Sequence, residues 1–207
     1  MSSPGQPGGG SGRPRSGTLE RMWEDVEQLI AGSHLFRSLD EDGRTELLER
    51  GRIVFYPAGA VIVRETEVGG AFYVIDQGVV EVSTSSPEAG DVSLTTLQRG
   101  GVFGEVAALT GAARTATVTA LTNVAAVSFD RQVIDEVLSR YPKARRLLDA
   151  LIAGRARDTV EKIARASVMP GRADGMSSRP PAPDASDVPI IPGPPRTPND
   201  TGGSSGA

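Results

Sequence analysis

The 207-residue sequence contains no cysteine, one histidine and one tryptophan, and only 4% of it is aromatic. Without cysteine it has no disulfide framework, no thiolate nucleophile and no iron–sulfur cluster. A lone histidine, His34, rules out a catalytic histidine pair, and its position between two helical segments marks it as a turn or surface residue. No apolar run approaches the ~18 residues of a membrane span, and the start lacks the apolar stretch of a secretory leader. A cytoplasmic protein is therefore expected. Kinase, cyclase and phosphodiesterase motifs are missing, so no catalytic residue, metal site or cofactor is expected.

Apolar residues are also scarce at both ends. Residues 1–17 are mostly Gly, Ser, Pro and Arg, and residues 169–207 hold nine prolines around one short apolar run, Val188–Ile191. Such segments bury too little surface to offset ordering, and both are expected to be disordered. Pro195-Arg196-Thr197-Pro198 matches a PxxP pattern by composition alone, and the tail reads as a tether. Roughly 150 residues remain, enough for one domain with a real core.

Charge is unevenly distributed. Residues 18–130 carry 8 basic and 17 acidic side chains, and residues 131–165 carry 9 and 5. The acidic body argues against a surface built for nucleic acid. The basic segment reads as the solvated face of a helix.

What is present begins with a helical motif over 18–51. Leu19, Met22, Trp23, Val26, Leu29 and Ile30 recur at helical spacing, with Thr18 as a cap and Gly32 as a stop. An acidic turn at 40–42 precedes a short helix over about 43–50. From Arg52 the period changes to two. Short strands are expected at 53–55, 61–63, 71–75, 79–82, 92–97, 115–120 and 123–129, with Ser83–Asp91 as a loop and residues 65–70 as a turn. Many short strands with frequent turns indicate a closed or jelly-roll-like β structure over 52–129. Helical periodicity returns over 130–168, with Asp130 as a cap, a break at Tyr141-Pro142, and an apolar face of Leu148, Leu151, Ile152, Ala156, Val160 and Ile163.

One stretch reads as a site, residues 103–118. Gly104 allows close backbone approach. If residues 105–110 wind into a helical turn, their first N–H groups lack partners and favour an anion. Arg114 would add a planar fork suited to phosphate oxygens. A carboxylate beside a phosphate is repelled, so Glu105 belongs opposite a hydroxyl that donates to it. Phosphate and sugar hydroxyl together describe a phosphoribose, and Ala107, Ala113 and Ala116 leave room for it.

The stretch resembles the phosphate-binding cassette of the cyclic nucleotide-binding domain, found in kinase regulatory subunits, gated channels and catabolite-activator-like regulators. Gly104, Glu105 and Ala107 match its Gly-Glu-x-Ala pattern, and Arg114 and Ala116 its Arg-x-Ala pattern. Ala113 stands where many members have proline. Tyr56–Gly59 and Phe72–Gly78 also look like the family, and the resemblance covers about residues 33–165. It implies an eight-stranded jelly-roll-like barrel with flanking helices, binding cAMP or cGMP. In that reading Glu105 accepts the ribose 2′-hydroxyl and Arg114 pairs with the cyclic phosphate. Phe103 and Gly104 open the cassette, backbone amides of Val106, Ala107 and Thr115 complete the cradle, and a C-terminal lid helix brings Leu151 or Arg155 over the base. Thr115 is compatible with either nucleotide, and cAMP is the expected ligand. The partner would be a protein effector reached through the lid helix or the tails; no nucleic acid or membrane partner is expected. The DNA-reading module of catabolite-activator-like members is not found after the lid segment, and a haem variant would lack axial ligands. A scaffold with the same fold and an empty pocket is the alternative.

Overall fold

The structure is a computed structural model that describes residues 16–168 and 190–192. Helix α1 (Ser16–Gly32) starts two residues before the expected cap at Thr18. A single 3-10 turn at Phe36–Ser38 leads to α2 (Glu41–Arg50). The expected acidic turn is the start of this helix. Asp40 accepts a hydrogen bond from the Gly43 amide at 2.9 Å, and Glu41 and Asp42 lie in the first turn, where the helix dipole favours negative charge.

Eight strands follow: β1 (Arg52–Tyr56), β2 (Val61–Val63), β3 (Phe72–Gln77), β4 (Val80–Ser86), β5 (Gly90–Leu97), β6 (Val102–Phe103), β7 (Thr117–Ala120) and β8 (Val124–Phe129). They form the expected jelly roll as two antiparallel sheets, ordered β6-β3-β8-β1 and β2-β7-β4-β5. A six-residue helix, α3 (Glu105–Thr110), separates β6 from β7, and α4 (Arg131–Arg140) and α5 (Pro142–Val168) follow β8.

The two sheets differ in what covers them. The first is buried on both faces. Ile53, Val74 and Val127 point into a cluster with Val26 and Ile30 of α1, Leu47 of α2, Val137 of α4 and Leu148 of α5. Their neighbours Val54, Ile75 and Ala126 point the other way, into a cluster with Val63, Val80 and Val118 of the second sheet. Burial on both sides explains continuous apolar runs such as 124–127. The second sheet has one wet face, so β5 alternates, with Val92 and Leu94 buried between exposed residues.

The structure corrects several sequence expectations. Residues 83–91 are no loop. Ser83–Ser86 extend β4 and pair with Gly90–Ser93 in a hairpin, secured by the Glu65 carboxylate, which accepts from the Thr84 hydroxyl at 2.6 Å and the Ser85 amide at 2.9 Å. Serine-rich strands with a wet face carry little apolar pattern, so periodicity misses them. Asp130 holds the cap position of α4 but makes no side-chain cap; it pairs with Arg52 at 3.0 Å. Val160 is 69% exposed and off the apolar face of α5. The expected disorder of 1–17 and 169–207 falls mostly outside the described residues. Where it does not, Ser16 and Gly17 open α1, and Ile190–Pro192 form a ninth strand, β9, on the outer edge of β1. Among the described residues no helix is long and apolar enough to cross a membrane.

Candidate ligand site

The cassette begins at β6, which pairs with β3 and places Phe103 beneath the second sheet, stacked on Tyr73 at 4.8 Å. Gly104 follows in a left-handed conformation (φ +79°) that turns the chain into α3. A Cβ at this position would sit 2.6 Å from both the Ala71 carbonyl oxygen and Arg114 Nη1, so no other residue fits without displacement. Gly111, also left-handed, ends α3 after six residues.

Arg114 is held from two sides. Its Nη1 donates to the carbonyls of Ala71 at 2.9 Å and Gly104 at 3.0 Å. Its backbone N–H donates to Glu67 O and its carbonyl accepts from Thr66 N, both at 2.9 Å. Thr66 adopts φ +69°, uncommon for a residue with a Cβ, so the 65–70 turn bends sharply to grip the arginine's backbone. The side chain is buried, with the whole residue 8% exposed. Burial pulls its pKa below the usual arginine value, against the opposing pull of Tyr73, Glu105 and Glu67, and the group stays charged. Among the described residues, its side-chain hydrogen bonds go to carbonyl oxygens alone.

Glu105 opens α3 and is 4% exposed. Its Oε1 accepts from Arg155 Nη1 of α5 at 2.7 Å. Helix α5 thus forms one wall of a partly open cavity of about 550 Å³. Phe103, Gly104, Glu105, Val106, Ala107, Arg114, Thr115 and Ala116 all line it, as do Leu151 and Arg155. The sequence placed either lid residue over a base; the structure sets Arg155 on the carboxylate. Ala113 does not line the cavity: it is exposed and bridges Val68 of the 65–70 turn.

Sequence reasoning missed the far wall. Thr159 and Lys162 project from α5 into the cavity beside Asp158, and Lys162 Nζ donates to the Leu94 carbonyl. Arg155, Thr159 and Lys162 are spaced i, i+4, i+7, so one helix face carries them. A search for polar residues on that face would have found the set.

The arrangement brings a fixed cation, a carboxylate and the first residues of α3, whose amides have no partner within the helix, to one small cavity. Among the described residues no cluster of histidine and carboxylates is placed to hold a metal ion. Such a site suits an anion that carries a donor hydroxyl. Residues 53–141 match the family model of the cyclic nucleotide-binding domain. The chain carries a domain of this family. The cAMP-dependent protein kinase regulatory subunit of Blastocladiella emersonii is 33% identical over 61% of this chain and 32% of its own length. Human cGMP-dependent protein kinase 2 is 29% identical over 73% of this chain and 20% of its own length. This chain therefore spans a third or less of these two relatives. Among solved structures, cAMP-bound PfPKA-R aligns with a TM-score of 0.54 at 30% identity, covering 57% of this chain and 42% of that one.

Proposed function

We propose that this cyclic nucleotide-binding domain senses cAMP and signals to a protein effector by moving α5. The observation that carries the reading is a pair of buried charges facing one cavity. Among the described residues, the Arg114 side chain is bonded only to carbonyls, and the Glu105 carboxylate to a single cation from the lid helix.

A cyclic phosphate would take the free side of the Arg114 guanidinium and the amides of Val106, Ala107 and Thr115. The ribose 2′-hydroxyl would donate to Glu105. That carboxylate now holds Arg155, so the sugar competes with the lid for one acceptor. Ligand binding thereby changes what holds α5, and a ligand shifts only states it binds differently. The base would lie toward Leu94, Thr159 and Lys162 on the far wall. The relatives named for cAMP and for cGMP make both nucleotides the ones to test.

The test is thermal unfolding with cAMP, cGMP and 5′-AMP, for the natural chain and Arg114→Ala. Ligand at 100 times its dissociation constant adds ~2.7 kcal/mol, a rise of roughly 5–10 °C in a domain this size. The expected result is a shift with cAMP, smaller with cGMP, absent with 5′-AMP and lost in Arg114→Ala. A larger shift with cGMP would reassign the base. No shift at millimolar ligand from a cooperatively melting protein would favour the scaffold.

A further inference from the structure

A second concavity shares Leu151 and Arg155 with the ligand cavity. It is a groove of about 790 Å³ between the end of α1, the turn from β5 to β6 and the middle of α5. Leu29, Val102, Leu147 and Leu151 supply its apolar lining. Leu147 is 40% exposed, although its neighbour Leu148 is core. Leu147, Leu151 and Arg155 stand at i, i+4 and i+8 and form one ridge along α5, about 12 Å or two helical turns long.

The charge of the groove is one-sided. Arg99, Arg155 and exposed His34 line it, and no carboxylate is among its described lining residues. The setting makes this informative, because residues 18–130 carry 17 acidic side chains against 8 basic. Half of the Arg99 side chain is exposed, with a long ion pair to Asp76 at 3.6 Å and a hydrogen bond to the Asp25 carbonyl at 3.3 Å. The backbone along the groove is already used. The Gly100 amide donates to Ile75 O and the Gly101 amide to Gln98 O, and the Gly101 carbonyl accepts from the Ile75 amide. The flanking walls of α1 and α5 are helices, whose interior backbone groups pair along the helix. An extended segment would find no ladder here. A helix needs none, since it docks through side chains at i, i+3, i+4 and i+7.

We propose that this groove docks an acidic amphipathic helix of the protein effector, with its apolar face on Leu29, Leu147 and Leu151 and its carboxylates on Arg99 and Arg155. A second copy of this chain does not supply one. Its acidic helices α1 and α2 already use their apolar faces at home, with Val26, Ile30 and Leu47 in the core. A bilayer surface, being flat, would leave buried Val102 unreached. Arg155 joins the groove to the ligand cavity, where its Nη1 lies 2.7 Å from Glu105. A partner carboxylate that draws Arg155 into the groove leaves Glu105 without its cation, a cost that a ribose hydroxyl donating to Glu105 relieves. Helix and nucleotide therefore favour each other. This coupling rests on the nucleotide reading above; the docking does not.

The test is a phage-displayed library of amphipathic helices of about 15 residues, selected on the full natural chain without nucleotide. The tightest peptide is then titrated by fluorescence polarisation against the natural chain, Leu147→Glu, Arg99→Gln and Glu105→Gln. Selected helices are expected to carry carboxylates beside an apolar face. Leu147→Glu and Arg99→Gln are expected to weaken binding by about tenfold or more. Glu105→Gln loosens the hold on Arg155 and is expected to tighten binding about fivefold. No binder, binders without carboxylates, equal affinity for Leu147→Glu, or no gain in Glu105→Gln would overturn the proposal. So would a dimer, or sedimentation with phosphatidylserine vesicles, that Leu147→Glu abolishes, by assigning the groove to a second copy or to a membrane. If Arg99→Gln does not fold, exposed Leu147 still decides. Adding cAMP is expected to tighten peptide binding to the natural chain about fivefold. No such gain in a chain whose Tm cAMP raises would overturn the coupling. No gain and no rise in Tm would instead fail the nucleotide reading and leave the docking result standing.

Discussion

At Gly104 the left-handed backbone and the absence of a side chain serve one purpose, letting two carbonyls reach the Arg114 guanidinium. Gly104→Ala brings a Cβ to 2.6 Å from Arg114 Nη1 and the Ala71 carbonyl oxygen and strains φ at +79°. The expected cost is about 1–3 kcal/mol of stability, together with loss of any nucleotide-induced rise in Tm; chemical denaturation with and without cAMP measures both. Asp76 poses a different problem. It is 2% exposed on β3, among the described residues neither carboxylate oxygen accepts a hydrogen bond, and it forms a long ion pair with Arg99 at 3.6 Å. Burial, with a further push from Asp25, raises its pKa, opposed by Arg99 and Gln77. A carboxyl whose folded pKa exceeds its unfolded one binds its proton more tightly when folded. Stability is therefore lost as pH rises from the unfolded value through the folded one. Asp76→Asn should raise Tm at pH 7 and lose that advantage as pH falls below the raised pKa. A melting series from pH 7 to pH 4 on both proteins checks it; a constant difference across the series would show that ionisation is not the cause.

Helix α5 does two jobs along its length. Its first turns are core, with Ala144 and Leu148 buried beneath α4 and the first sheet. Its second half touches the jelly roll through polar contacts, Arg155 to Glu105 and Lys162 to the Leu94 carbonyl. Polar contacts to a cavity rim open more readily than a packed core, so opening of α5 is expected to begin beyond Leu148, toward Arg155. Arg155→Ala leaves Glu105, 4% exposed, without its cation, at an expected cost of about 1–3 kcal/mol. Without ligand, amide exchange at 152–166 should accelerate while exchange at 144–149 stays slow. Uniform exchange along α5 in both proteins would mean that the pair does not hold the lid. The helix's apolar spacing was legible in the sequence. Its orientation was not, because the same spacing admits Val160, which the fold leaves exposed.

At the scale of the whole molecule, the first sheet is shared by two hydrophobic clusters, one toward the helices and one toward the second sheet. A sheet common to both couples them, so the helices and the jelly roll should unfold together. Ile30→Ala empties a fully buried position in α1 and is expected to cost about 2–5 kcal/mol. Urea unfolding followed by tryptophan fluorescence at Trp23 and by circular dichroism should move to a lower midpoint with the two signals still coincident. Separate transitions would show that the clusters fold as independent units.

The sequence by itself determined the local periods, the close-approach glycine Gly104 and the Glu105-to-Arg114 spacing. Those features depend on neighbours within one helical turn, one strand or one short cassette, and their residue types report them directly. The switch from helical to alternating pattern at Arg52 and back after Phe129 marked out the architecture in the same way. Tertiary structure decided whatever needed a partner distant in the chain. It set Arg155 on a carboxylate 50 residues earlier, made a hairpin of the serine-rich 83–91 through Glu65, and seated residues 190–192 on an edge far back in the chain. It also buried Asp76 in a strand whose neighbours gave no sign of its isolation. Contacts of this kind depend on backbone pairing and on the direction in which an element faces once packed, and a one-dimensional pattern of residue types carries neither.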